Sequence, residues 1–144
     1  MKTEQTEQLK QLTHEQLCAL VVSLYGSDKQ IDKTIESALL AGDPVALAKH
    51  LKKQIQSISR GSRFIPYRES FALSNQLDQL VAEIEKLKPA DPKATFALID
   101  ALMKIHGKVF DRCDDSGGKI GDSFHNAARL WVDAAVAWQD CKLP

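Results

Sequence analysis

The chain has 144 residues, in which 19 lysines and arginines balance 19 aspartates and glutamates, and 44% of the residues are hydrophobic. This composition is typical of a modest globular protein that folds without disulfides or metal. Zero net charge argues against a nucleic-acid-binding protein, because such domains usually carry excess positive charge. No apolar run reaches the roughly 18 residues of a membrane span, and the polar amino terminus differs from a signal peptide. We therefore expect a cytoplasmic protein whose partners are neither nucleic acid nor membrane.

The three cysteines do not indicate a disulfide framework or a metal centre. Cys18, Cys113 and Cys141 form no Cys-x-x-Cys pair, which disfavours a four-cysteine zinc site. Cys113 with His106 and His125 suggests zinc or a thiol dyad only in principle, since no third orienting group accompanies them. The sequence therefore predicts neither a bound metal nor another cofactor, and no catalytic residues.

The first part of the chain predicts a polar start followed by two short helices. Residues 1–12 are polar and rich in glutamine, and we expect them to be frayed. Thr13 and Gln16 form a capping box that opens a helix, and Gly26 suits the left-handed position that ends one. Ser27 or Asp28 then caps a second helix. The inward-facing stripe expected on the first helix is Leu17, Leu20, Val21 and Leu24.

Two aspartate–proline pairs, Asp43-Pro44 and Asp91-Pro92, lie 48 residues apart and each signals a helix start. Each pair is followed by a helix, a loop and a second helix, which predicts hairpins at about 44–88 and 92–142. The sequence thus predicts one all-α domain over 13–144, built from antiparallel helix hairpins. This arrangement is either a short α-solenoid of the HEAT kind or a bundle of five or six helices. The fifth helix is expected to run unbroken to Phe110 with His106 on its apolar face.

The loop between the helices of the first hairpin is the first candidate site. Arginines and aromatic residues are concentrated there, a composition suited to binding an anionic or aromatic partner. The other interpretation is structural, with Phe64, Ile65 and Tyr67 plugging the end of the core. The candidate binding residues in this loop are Arg60, Arg63, Tyr67 and Arg68.

The loop of the second hairpin, residues 111–122, is an acidic turn and the second candidate. Its candidate binding residues are Asp111, Asp114, Asp115 and Asp122. Carboxylates on a glycine-rich backbone suggest calcium, but in an EF-hand register Cys113 would replace the first aspartate and Phe124 the bidentate glutamate. The simpler interpretation is a helix stop followed by a cap, with Asp122 capping the last helix and Gly117 or Gly118 at positive φ.

Consecutive helix hairpins place equivalent loops at the same end of the fold. The two candidate loops should then lie together, one basic and one acidic. Arg60, Arg63 or Arg68 could pair with aspartates of the acidic turn and fix the register of the two hairpins.

Two stretches carry a family resemblance. The sequences Arg-Gly-Ser-Arg-Phe-Ile-Pro-Tyr-Arg-Glu, from Arg60, and Val-Phe-Asp-Arg-Cys-Asp-Asp-Ser-Gly-Gly-Lys-Ile-Gly-Asp-Ser-Phe, from Val109, resemble two signatures of an uncharacterised helical family of bacterial proteins. The resemblance spans roughly 17–138. The family pattern has aspartate and tryptophan where this chain has Pro66 and Tyr67, and aspartate where it has Gly117. The resemblance implies a helical-repeat fold, no established activity, and a short relative or amino-terminal portion of longer members.

These observations predict a non-catalytic interaction or scaffolding module that binds a protein partner. The alternative is a protein that binds a small ligand or divalent metal through the acidic turn 111–122 and the loop 60–68. A further possibility is a homodimer formed through the last helix, where Trp131 and Trp138 lie seven residues apart.

Overall fold

Both aspartate–proline pairs begin helices, as the sequence predicted. The Asp43 carboxylate accepts a hydrogen bond from the Ala46 amide at 3.1 Å, and the Asp91 carboxylate accepts one from the Ala94 amide at 3.0 Å. Proline occupies the first turn of each helix, where its missing N–H removes no hydrogen bond.

The computed structural model describes residues 1–142 and confirms the all-α prediction. The helices are α1 (Thr3–Lys10), α2 (His14–Leu24), α3 (Lys29–Leu39), α4 (Pro44–Arg60), α5 (Tyr67–Glu85), α6 (Pro92–Lys104), α7 (His106–Asp111) and α8 (Lys119–Lys142). Within 1–142, no helix is long and apolar enough to cross a membrane. Residues 143 and 144, which the predicted domain included, lie outside the described residues.

Internal contacts divide the chain into two compact units, one over Met1–Leu39 and a second that begins at Leu40. The predicted division into frayed residues over 1–12 and one domain from residue 13 stays a prediction. Residues 3–10 form α1, which begins with a hydrogen bond from the Thr6 amide to the Lys2 carbonyl at 3.1 Å.

The buried hydrophobic side chains of the described chain all belong to the second unit. In this unit α5 packs against α4, α6 and α8, and α6 also packs against α4 and α8. The largest of these side chains with less than 2% exposure are Leu51, Leu77, Leu80, Ile84, Ile99, Leu102, Val109 and Ile120. The two predicted hairpins therefore share one core.

A buried hydroxyl pair joins α5 to the first turn of α8. The Ser74 and Ser123 Oγ atoms lie 2.9 Å apart, and each lies within hydrogen-bond distance of the Lys119 carbonyl oxygen, at 3.1 and 3.2 Å. These bonds fix the start of α8, and with it the acidic turn, against α5.

Helix α2 begins as predicted but does not bury its apolar stripe. The Gln16 amide donates to Thr13 Oγ1 at 3.1 Å and the Thr13 amide donates to Gln16 Oε1 at 2.9 Å, which confirms the capping box. Gly26 has the expected positive φ, +92°. Leu20, Val21 and Leu24, expected to face inward, are each 42% exposed. A unit of this size has too few residues to enclose a core of its own.

The predicted fifth helix is interrupted at Ile105. The Ile105 amide donates to the Leu102 carbonyl, three residues back, at 3.2 Å, so the last turn of α6 tightens and α7 starts at His106. Val109, expected on the apolar face, is fully buried, and Ile105 also lies inward. His106 and Phe110, expected on the same face, are instead exposed.

Candidate functional site at the loop junction

The two predicted loops meet through a short backbone bridge. The Ile65 amide donates to the Arg112 carbonyl at 2.7 Å, and the Asp114 amide donates to the Ile65 carbonyl at 2.9 Å, which forms an isolated parallel bridge between Ile65 and Cys113. Ile65 is 7% exposed, so its side chain anchors this contact in the core. We call the bridged segments 61–66 and 112–118 the loop junction.

Arg112 braces the loop junction through its guanidinium group. Its Nη2 donates to the Ile58 carbonyl at 2.9 Å and its Nη1 donates to the Arg63 carbonyl at 3.2 Å. The guanidinium lies against Gly61, where a Cβ atom would come within 2.5 Å of Nη2. Gly61 therefore leaves the space that the Arg112 guanidinium fills at the carbonyl end of α4, and a larger residue would displace that group.

Tyr67 contacts the acidic turn from the other side of the loop junction. A Cβ atom at Gly117 would lie 3.2 Å from Tyr67 Cε2, and the Tyr67 ring meets the Phe71 ring edge-on at 5.2 Å. Tyr67 is nevertheless 45% exposed. Its ring thus packs on the junction and also presents a surface to solvent.

The acidic turn uses two of its carboxylates within the turn itself. Asp115 accepts hydrogen bonds from the Ile120 amide at 2.8 Å and the Gly121 amide at 3.0 Å, so it satisfies free amides at the start of α8. Asp114 accepts a bond from the Ser116 hydroxyl and one from the Ser116 amide at 3.1 Å. These two hydrogen bonds lower the pKa of Asp114, and the bond from the hydroxyl has the larger effect.

The cap of the last helix differs in one detail from the prediction. Asp115, rather than Asp122, accepts the bonds from the first-turn amides, because α8 already begins at Lys119. Asp122 lies exposed within that first turn, and Asp111 is exposed at the end of α7. Gly118 has a φ of +71°, which confirms the predicted left-handed glycine in the turn.

The arginines of the first loop do not pair with the acidic turn, contrary to the expected network. Arg63 Nη2 instead contacts Glu69 Oε2 at 2.7 Å, and Arg60 and Arg68 are exposed and join no ion pair within the described part of the chain. The physical reason is local. Asp114 and Asp115 already bond to nearby amides and a hydroxyl, and Glu69 is much closer in sequence to Arg63.

Within residues 1–142, no group of three or more His, Cys, Asp or Glu side chains is placed to hold a metal ion. Partial burial raises the pKa of the Cys113 thiol, with Asp115 raising it further and Arg112 opposing the change. A raised pKa disfavours the reactive thiolate. His106 Nδ1 donates to the Met103 carbonyl at 2.7 Å.

The tryptophans of α8 pack on one ring of α6. The Phe96 ring lies 6.5 Å from that of Trp131, in a stacked arrangement, and 5.5 Å from that of Trp138. Trp131 retains 37% exposure, and Val132 and Val136 on the same helix are 58% and 53% exposed. The homodimer predicted through Trp131 and Trp138 stays a prediction.

The contact between Arg112 and Gly61 is a structural feature of the site that sequence reasoning missed. One signal was present, since a basic residue near the end of a helix can bond to terminal carbonyls. That rule predicts a bond to carbonyls of the helix that the basic residue ends, which is α7 for Arg112. Arg112 instead bonds to the Ile58 carbonyl near the end of α4, 54 residues away in sequence. Only the packing of the two loops shows this partnership.

The fold and the loop junction define an all-α protein with two helix hairpins joined at their loops. Its sequence matches the family described as "Family of unknown function (DUF6880)" over residues 1–140. The chain belongs to this family, which confirms the resemblance to an uncharacterised helical family. Comparison with curated proteins and with solved structures gave no match.

Proposed function

We propose that the chain is a non-catalytic helical interaction module that binds a protein partner through the exposed face of its arginine-rich loop. The proposal rests on the exposure of Arg60 and Arg68 and on their lack of ion pairs within residues 1–142. If they served only to fix the hairpin register, they would pair with the acidic turn; instead Arg60 and Arg68 are exposed, and within 1–142 no ion pair includes either one.

Exposed aromatic side chains accompany these arginines. Phe64 is 60% exposed and Tyr67 is 45% exposed, although the alternative interpretation placed both in the core. Ile65 alone takes the plugging role, at 7% exposure. Arginine and aromatic residues are enriched at the energetic centres of protein interfaces, so this surface has a composition suited to a protein partner.

The scaffold supports such a role because it holds the loop in place. The backbone bridge at Ile65 and the two bonds from Arg112 tie the loop to the second hairpin. A surface fixed in this way loses less conformational entropy when a partner binds. The rival proposal of a metal or small-ligand site in the acidic turn is less well supported, because Asp114 and Asp115 already bond within the turn.

Site-specific photo-crosslinking in cells tests the proposal. A photoreactive phenylalanine analogue replaces Phe64 in one variant and Lys93, which is exposed on α6, in a control. We expect a discrete protein adduct from position 64 that is absent at position 93 and is reduced by Arg60→Ala with Arg68→Ala. Identical adducts from both positions, or none from position 64, would contradict the proposal.

A further inference from the structure

One stretch of this neutral chain, residues 44–68, carries an excess of positive charge, and we call it the basic segment. It holds six lysines and arginines and no acidic residue, so the remainder of the chain carries a net charge of −6. The segment comprises α4, the loop that follows it and the first two residues of α5. Its cations are Lys49, Lys52, Lys53, Arg60, Arg63 and Arg68.

Helix α4 places its cations away from the core. Leu47, Leu51, Ile55 and Ile58 are buried on one side of the helix, while its lysines and Arg60 are all exposed. Lys49, Lys53 and Arg60 follow spacings of four and seven residues, which puts them on a common face. At about 1.5 Å per residue this face is roughly 16 Å long.

These charges have no acidic partner in the part of the chain that the structure describes. None of the four ion pairs there includes Lys49, Lys52, Lys53 or Arg60. Acidic residues at neighbouring helical positions would normally offset such a stripe, and α4 contains none. The electrostatic potential of this face is therefore positive and available to an external group.

A groove lies at the carboxyl-terminal end of the same face. It has a volume of about 580 Å³ and is lined by Lys53, Gln56, Ser57, Arg60 and Gly61. Lysine, arginine, amide and hydroxyl groups there all can donate hydrogen bonds. The Arg112 guanidinium lies against Gly61 and bonds to two carbonyl groups, so it adds a third positive charge beside the groove.

We propose that this groove and the lysine face of α4 bind a carboxylate-rich segment of the partner protein. This inference rests on the proposed function and adds the chemistry of the partner. Acidic side chains would pair with Lys53 and Arg60 in the groove, and Lys49 would extend the contact along α4. Apolar residues of the same segment would meet Phe64 and Tyr67, which flank the groove in sequence and are exposed.

An acidic protein segment fits this surface better than a nucleic acid does. A long polyanion would also meet the net negative charge of the rest of the chain, and the isoelectric point of about 6.9 is far below that of typical nucleic-acid-binding domains. A short acidic peptide engages only the local patch.

Fluorescence anisotropy with a defined probe tests this inference. The probe is a labelled 12-residue peptide of four Glu-Glu-Leu repeats, and the control probe carries glutamine in place of glutamate. The protein variants are Lys53→Ala with Arg60→Ala, and a matched control, Lys93→Ala with Lys108→Ala, which removes two exposed lysines outside the basic segment.

We expect the acidic peptide to bind and the glutamine peptide not to bind. Since an exposed ion pair contributes about two- to five-fold to affinity, the groove variant should weaken binding about ten-fold while the control variant leaves it unchanged. Added salt should weaken binding progressively. Thermal unfolding of each variant verifies that the fold is retained.

Three results would overturn the inference: no binding of the acidic peptide, equal losses in both variants, or tighter binding of a 12-nucleotide single-stranded DNA. The photo-crosslinking result separates this failure from that of the proposed function. An adduct at position 64 without acidic-peptide binding would retain the interaction module and reject the acidic partner. Absence of both would reject the two proposals together.

Discussion

The basic segment 44–68 and the acidic turn 111–122 have opposite charges and meet at the loop junction, but their side chains are used in different ways. In the acidic turn, Asp114 and Asp115 bond to groups of their own turn and to the start of α8. In the basic segment all six cations are exposed, and among them Arg63 alone joins one of the ion pairs of the described residues. The comparison separates a turn whose charges maintain the fold from a segment whose charges remain available for binding.

The largest expected effect comes from Gly61→Ala, at the point where the two regions meet. The added methyl group would overlap the Arg112 guanidinium and break its bonds to the Ile58 and Arg63 carbonyls. Loss of these charged hydrogen bonds should lower the free energy of unfolding by about 1–2 kcal/mol, as measured by urea denaturation. The matched control is Gly42→Ala, since a Cβ atom there meets nothing within 4 Å; equal losses in both variants would contradict the bracing role of Arg112.

The second prediction concerns the cap of α8. Asp115→Ala should destabilise the chain by about 1 kcal/mol, because two first-turn amides lose their acceptor. Asp115→Asn should lose part of this stabilisation, since its side chain offers one acceptor oxygen where Ile120 and Gly121 use two. If alanine at this position left chemical denaturation unchanged, the acidic turn would not have the structural role assigned to it.

The third prediction is the pH dependence of the contribution from Asp114. The Ser116 bonds lower the pKa of this carboxyl in the folded state, so the charged form is favoured by folding. Its stabilising contribution is complete above the unfolded-state pKa and is lost as the pH falls through the folded-state pKa. The difference in melting temperature between the natural chain and Asp114→Asn should therefore shrink on acidification. A difference independent of pH between neutrality and the acid limit would disagree with this account.

The smallest effect on stability is expected in the basic segment. Arg60→Ala and Arg68→Ala should each change the free energy of unfolding by less than about 0.5 kcal/mol, because both side chains are exposed and outside the ion pairs of the described chain. The same substitutions should reduce partner crosslinking at position 64. A large loss of stability from either one would place these arginines in the fold rather than at an interface.

Sequence reasoning succeeded where the signal is local. The Asp43 and Asp91 caps, the Thr13 capping box and the left-handed conformation of Gly118 depend on a few adjacent residues. The position of the two loops at one place also followed from the hairpin pattern. The caps and the turn need no knowledge of the distant parts of the chain, and the meeting of the loops needs only the order of the helices.

Sequence reasoning failed where a side chain had more than one possible partner. The acidic turn and the loop arginines have opposite charges, and their pairing was a reasonable hypothesis, but local amides and Glu69 were closer partners. The bond of Arg112 to Ile58 joins residues that are far apart in sequence. The exposure of α2 likewise depends on the number of residues available to cover it, and helical periodicity does not report that number.

The most direct test of this comparison is a nuclear magnetic resonance titration of the whole chain with the acidic Glu-Glu-Leu peptide. Amide shifts should change along 49–68, with the largest changes at Lys53, Arg60 and Gly61, while the amides of Ile120 and Gly121 keep their positions. This result would confirm a binding segment beside a structural turn. Shift changes centred on 111–122, with the basic segment unaffected, would contradict the account.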